Sequence, residues 1–333
     1  MERITSQTGP IADPHGRYAA SRCLVVMYHY VRPTPIEPND GIRGLTVAAF
    51  TEQLAHLCRR FEPITWAEFC TWKDGRGTIP SHSFLVTFDD GLSDHFFAVV
   101  PTLEEFGISG TFFVPGAILE SPTMLPAHRI HLLLRALGTD GLIREISKES
   151  PILDQASDLP DVAGSEPMQR MFGYEKTSLA RLKYALTMVW PVDARNELLK
   201  TLFAKHVGDE ESWSRRWYMS WNHLVRMQSV GHTIGGHGFS HEPLTRLAPR
   251  QRDADMSKSF AILQEGLGSA PRPFSYPYGC VDPITAASCS RSGFHLAFTT
   301  RSEWCCAGHD TLELPRVDTI HVGAALKEVH PCP

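Results

Sequence analysis

Apolar residues follow two rhythms along this chain. Short unbroken runs alternate with stretches in which they recur every three or four positions. The unbroken runs read as buried strands: Cys23–Tyr28, Ser83–Phe88, Thr111–Val114, His232–Gly236, Arg272–Tyr276 and Phe294–Thr299, with a last extended segment inside Leu312–Val322. Between them the spacing is helical, as in Phe50, Leu54, Leu57 and Cys58, in Phe96, Val99, Leu103 and Phe106 before a stop at Gly107, and in Met256, Phe260, Leu263 and Leu267. Thr65-Trp66-Ala67-Glu68 has the form of a capping box. Ser220 can cap a helix to Ser229, and another runs from Pro283 to Gly293. Strand and helix in alternation predict a parallel sheet or barrel covered by helices.

The alternation breaks once. From about Leu119 to Ser220 no strand pattern is found, and helices are expected around His131–Leu137, Leu179–Val189 and Ala194–His206. Ser147–Gln169 is acidic and Pro-containing and reads as an exposed loop. The block, residues 119–220, is taken as a mostly helical insertion within one domain covering residues 20–330. Leaving from the end of a strand, it is a candidate lid. Leu132, Leu133, Leu182, Leu186, Leu198 and Leu199 need a surface to bury against, and the barrel rim is the nearest.

Composition narrows the partners. The 333 residues are 42% hydrophobic and 21% charged with a formal net charge of -5, and no basic stripe points to nucleic acid or an anionic membrane. No apolar run is long enough to span a bilayer. Met1–Ala20 is polar and broken by Pro10, Pro14 and Gly16, so it is not read as a secretory signal, and a cytoplasmic location is expected. The eight cysteines are scattered among apolar residues and are expected to be reduced core side chains. Cys305-Cys306 has no CxxC partner and is not read as a metal site.

Candidate chemistry gathers where strand-like runs end. Asp89-Asp90-Gly91 follows one such run, and alternation along a strand would send the two carboxylates to opposite faces. Alone, this would sooner be read as a solvated turn. His29, His237 and Tyr278 also follow strand-like runs, on the edge where parallel α/β barrels carry their active sites. His237 and His241 lie four apart, which on one helical turn points both imidazoles the same way. With Asp90 they make three ligands for a zinc-like ion that keeps a position open for water.

Three segments then carry a family resemblance. Val86-Thr87-Phe88-Asp89-Asp90-Gly91, His237-Gly238-Phe239-Ser240-His241 and Phe274-Ser275-Tyr276-Pro277-Tyr278-Gly279 resemble the first three signature motifs of the polysaccharide deacetylases, carbohydrate esterase family four. Val26-Met27-Tyr28-His29 is similar to a subgroup acting on poly-N-acetylglucosamine. The resemblance implies a distorted (β/α) barrel of seven or eight strands, a divalent metal that is usually zinc, and an N-acetylated amino sugar as substrate. By it, Asp90, His237 and His241 bind the metal, Asp89 is the general base, and the Tyr278 backbone N–H helps hold the oxyanion.

The chain departs from the family pattern in two places. Ser275 stands where many members carry an arginine, and Arg316 is expected to supply that charge from the next strand. The last motif, a catalytic histidine after an apolar residue, is not plain, so His321 and His29 compete as general acid. Trp217 and Tyr218, at the return from the insertion, are candidates to stack on a sugar, or core residues. The expected activity is metal-dependent N-deacetylation. Its rivals are another linear amide hydrolase, a deformylase or ureide-cleaving enzyme, and an inactive barrel that only binds carbohydrate.

Overall fold

The computed structural model describes residues 21–32, 44–149, 165–269 and 273–325. Its centre is a curled parallel sheet. Strands β1 (Arg22–Tyr28), β2 (His82–Phe88), β3 (Gly110–Val114), β4 (Thr233–Gly236), β5 (Pro273–Ser275) and β6 (Leu296–Phe298) lie side by side in chain order. The seventh, β7 (Val317–Asp318), pairs in parallel with β1, while Leu314 just before it bridges to Phe298 of β6. The segment 314–318 thus touches both edges and joins the sheet into a distorted barrel through an irregular seam. Leu24, Val25, Val26, Phe84, Leu85 and Val86 are all buried, which is why β1 and β2 read as unbroken apolar runs.

Helices flank the strands. Val47–Cys58 buries Phe50, Leu54 and Leu57, but Cys58, expected on the same face, is exposed at the helix's last position. Trp66–Lys73 opens with the Thr65–Glu68 capping box. Gly107 ends the helix Val100–Phe106 with φ 66, a left-handed turn that glycine enters at no steric cost.

Between β3 and β4 come Pro126–Glu149, Glu166–Phe172, Thr177–Tyr184, Val192–His206 and Glu210–Trp217. The first is two helices merged across a break at Gly138. The stretch expected as a loop, Ser147–Gln169, falls mostly outside the described residues, and its described ends are helical. Leu133, Leu182, Leu186, Leu198 and Leu199 pack into a core of their own. Only Leu132 of the six leucines joins the main barrel core, together with Phe203. The barrel rim is therefore not where most of that apolar surface goes.

Cys23, Cys58, Cys280, Cys289 and Cys305 form no disulfide, whereas Cys306 is disulfide-bonded. Neighbours on a strand face opposite ways, so Cys305 fills core while Cys306 can reach another segment. This corrects the reading of every cysteine as reduced and removes that argument for a reducing compartment. Among the described residues no helix is long and apolar enough to cross a membrane.

Candidate active site

The site lies at the C-terminal ends of β1, β2 and β4. The Asp89 N–H still donates to the Tyr28 carbonyl at 3.0 Å, so the strand pairing of β2 runs on to this residue. Asp90 then takes φ 79 and Gly91 φ 66. That left-handed step breaks the alternation expected of a strand. Both carboxylates turn towards His237, whose Nε2 lies 3.4 Å from Asp90 Oδ1 and 3.9 Å from Asp89 Oδ2.

His237 and His241 do not share a helical turn, contrary to expectation. The segment is irregular, with left-handed backbone at Gly238 (φ 68) and His241 (φ 58). Its shape is set from outside. The Phe239 and Ser240 amides donate to the Asp255 carboxylate at 2.6 and 2.9 Å, and the Gly116 and Ala117 amides donate to the Gly238 and Phe239 carbonyls. His241 Nε2 ends 3.0 Å from Asp90 Oδ1.

These three side chains fit a divalent metal. Asp90, His237 and His241 offer ligand atoms within 4.8 Å of one another, all buried. Asp90 Oδ1, facing both imidazoles, has no hydrogen-bond partner. His237 Nδ1–H donates to the Ser275 carbonyl at 2.6 Å, which leaves Nε2 free to ligate. Two imidazoles and one carboxylate are a donor set suited to zinc with an open position. Burial alone would raise the Asp90 carboxyl, but His241, His128 and His237 hold it well below the ordinary range. Burial lowers His237, and the two aspartates outweigh it and raise the imidazole.

Asp89 is held by the barrel. Arg316, fully buried, donates from Nη1 to Oδ1 at 2.8 Å and from Nη2 to Oδ2 at 2.7 Å. The same guanidinium donates to Ser275 Oγ, Thr87 Oγ1 and the Thr299 carbonyl, which fixes its plane. Ser275, standing where the family often has arginine, donates to Asp89 Oδ2 at 3.2 Å and so lies between charge and carboxylate. Burial would raise Asp89, but Arg316 and then His237 prevail and lower it to about 2.

The sequence reading missed His128. It sits near the start of Pro126–Glu149, wholly buried, with Nε2 3.2 Å from Asp90 Oδ2 and Nδ1 2.6 Å from Tyr218 Oη. Nothing in Leu125-Pro126-Ala127-His128 resembles a motif. Tyr218 is placed by a bridge to Leu92 and by the Met219 N–H donating to the Gly91 carbonyl. Of the two roles left open for it, sugar stacking or core, the structure places it in the core, with its hydroxyl on His128.

The remaining expected residues separate. His29 Nε2 is 4.0 Å from Asp89 Oδ2, with its side chain 35% exposed. Its carbonyl accepts from buried His95 Nε2–H at 2.7 Å, a contact the sequence did not suggest. His321 is exposed on the turn Thr319–His321, and no hydrogen bond or ion pair among the described residues links it to the cluster. Tyr278 lies beside His241, ring centres 5.3 Å apart, on a left-handed backbone (φ 59). Trp217 is buried with its ring edge on His128, centres 5.3 Å apart.

Comparison with known proteins agrees with this picture. The polysaccharide deacetylase family model matches residues 194–297, which include His237, His241 and Tyr278 but not Asp89 or Asp90. No curated protein matches the chain. Similar solved structures include the Streptococcus pyogenes deacetylase PplD in complex with acetate, with TM-score 0.57 and 14% identity over 90% of this chain and 92% of that one. IcaB from Ammonifex degensii gives 0.56 and 20% over 92% and 98%. A de-N-acetylase from Aggregatibacter actinomycetemcomitans gives 0.56 and 14% over 92% and 99%. The resemblance carried by the three motifs is thus joined by a match to the polysaccharide deacetylase family over residues 194–297 and by the fold of solved deacetylases.

Proposed function

We propose that this protein is a metal-dependent deacetylase that hydrolyses the N-acetyl group of an amino sugar. The observation that carries the reading is the paired arrangement at Asp89 and Asp90. One carboxylate is clamped by Arg316, and the other faces His237 and His241 with an unpartnered oxygen. The similarity to solved deacetylases, one of them holding acetate, supports it.

Asp90, His237 and His241 would hold the ion, with zinc the best fit to the donor set. When bound, such an ion acidifies water and polarises an amide carbonyl. Asp89 is the general base. It stays ionised at neutral pH, and its Oδ2 faces both His237 and His29. Arg316 and Ser275 keep that oxygen aimed and its charge in place. His29, part-exposed beside Asp89, is the better-placed general acid for the departing amine than exposed His321. The Tyr278 N–H is the proposed oxyanion donor.

The experiment is product analysis. Zinc-loaded protein incubated with N-acetylglucosamine oligomers should release acetate and leave free amines. Formate or ammonia from formylated or ureido substrates, with no acetate, would replace this reading with a different linear amide hydrolase.

A further inference from the structure

Two of the inserted helices reach the turns that carry the metal ligands. On one side is the chain Leu125–Tyr218–His128–Asp90. The Leu125 N–H donates to Tyr218 Oη at 3.0 Å, so the hydroxyl's own proton is directed to His128 Nδ1, 2.6 Å away. With Nδ1 accepting, His128 carries its proton on Nε2 and donates it to Asp90 Oδ2 at 3.2 Å. The imidazole has little room to turn, with Tyr218 stacked on it (centres 5.5 Å, 27°) and Trp217 against its edge. Asp90 is left with Oδ1 towards His237 and His241.

On the other side is Glu242, the neighbour of His241. It is buried and paired with fully buried Arg195, and its Oε1 accepts from Asn196 Nδ2 at 3.0 Å. Arg195 also donates to the Leu186 carbonyl, tying the pair to the inserted core. Both residues belong to Val192–His206.

We propose that the insertion is a structural part of the metal centre, with His128, aligned by Tyr218, as the positioning residue that decides which oxygen Asp90 presents to the ion. The proposal rests on the metal site of the reading above and deepens it. A barrel with the same three ligands but no such helix would leave both Asp90 oxygens to choose between ion and solvent. A hydrogen bond that orients a ligand is typically worth about 10–100-fold in metal affinity.

The test is the Zn2+ dissociation constant of the full chain, read by chelator competition, and the visible spectrum of the Co2+ form. His128→Phe keeps a ring and removes the donor. It should raise the Zn2+ dissociation constant about 10–100-fold and shift the Co2+ bands. His128→Gln, whose amide N–H can replace the donor, should recover part of the affinity. Tyr218→Phe removes one oxygen and should weaken binding in the same direction by less, which keeps the idea testable if His128→Phe does not fold. Folded His128→Phe or Tyr218→Phe with parental affinity and an unchanged Co2+ spectrum would overturn the proposal. A parent that binds Zn2+ but releases no acetate would overturn the deacetylase reading alone. A parent that binds no Zn2+ would overturn both.

Discussion

Asp89 and Asp90 are neighbours in sequence, and the molecule supports them from opposite sources. Asp89 is held by the barrel. Arg316, Ser275 and Thr87 lie on strands or next to them, and the guanidinium also reaches the carbonyl of Thr299 after β6. Asp90 is held by the insertion, through His128 and Tyr218. The support that belongs to the sheet brings a full positive charge and lowers the acid to about 2. The support that belongs to the helices brings a neutral donor chain and sets direction. The first governs what Asp89 can do with a proton, and the second governs where Asp90 points.

That contrast is open to attack from both sides. The largest effect should come at Asp89 itself. Asp89→Asn should keep its metal by elemental analysis while kcat falls about 10²–10⁴-fold, the usual worth of a general base. Metal lost in parallel with turnover would show that the two carboxylates are not separate in function. Next is Arg316→Met, which strands a buried carboxylate. Denaturant unfolding of the metal-free protein should show a loss of about 3–5 kcal/mol, because removing one partner leaves the other charge uncompensated. Substituting both, as Asp89→Asn with Arg316→Met, should cost less than the sum. A loss under 1 kcal/mol in the single variant would deny the barrel its part.

The smallest effect tests the anchoring of the helix that carries His128. Glu210 accepts from Thr123 Oγ1 and the Met124 N–H and pairs with Arg129. Burial would raise its carboxyl, but the Arg129 bond and the Met124 amide lower it below 4.5. A depressed folded value stabilises above the unfolded one and is lost as pH falls through the folded one. Glu210→Gln should therefore be about 1 kcal/mol less stable than the parent at pH 7, with the gap closing as pH drops below about 4.5. A gap that is constant down to pH 3 would mean that the carboxylate's charge plays no part there.

What the sequence disclosed follows from how locally each feature is encoded. Asp90, His237 and His241 sit within short motifs, so their coming together was legible before any fold. Arg316 was reachable by asking what replaces a charge missing at Ser275. His128 was not, because its meeting with Asp90 depends on how a helix of the insertion packs against the barrel. The backbone at His237–His241 was misjudged for a related reason. HxxxH spacing suits one helical turn, but Asp255, fourteen residues beyond His241, bonds the amides of Phe239 and Ser240 and imposes an irregular path. Tyr218 was left between a sugar-stacking and a core role because its hydroxyl's partners, Leu125 and His128, are about ninety residues away.

Among the described residues the non-glycine positions with positive φ are Asp90, His241 and Tyr278. Each costs on the order of 1 kcal/mol against an ordinary backbone. Glycine would remove that backbone cost at all three, though not without losing what each side chain touches. A library of this protein screened for heat resistance, with no demand for turnover, should therefore admit glycine at these positions more often than one screened for activity. Two of the three are proposed metal ligands, so a screen blind to turnover would let the proposed centre be lost. Selection for robustness and selection for chemistry pull apart at these residues, and a stabilisation campaign would have to hold them fixed from the start.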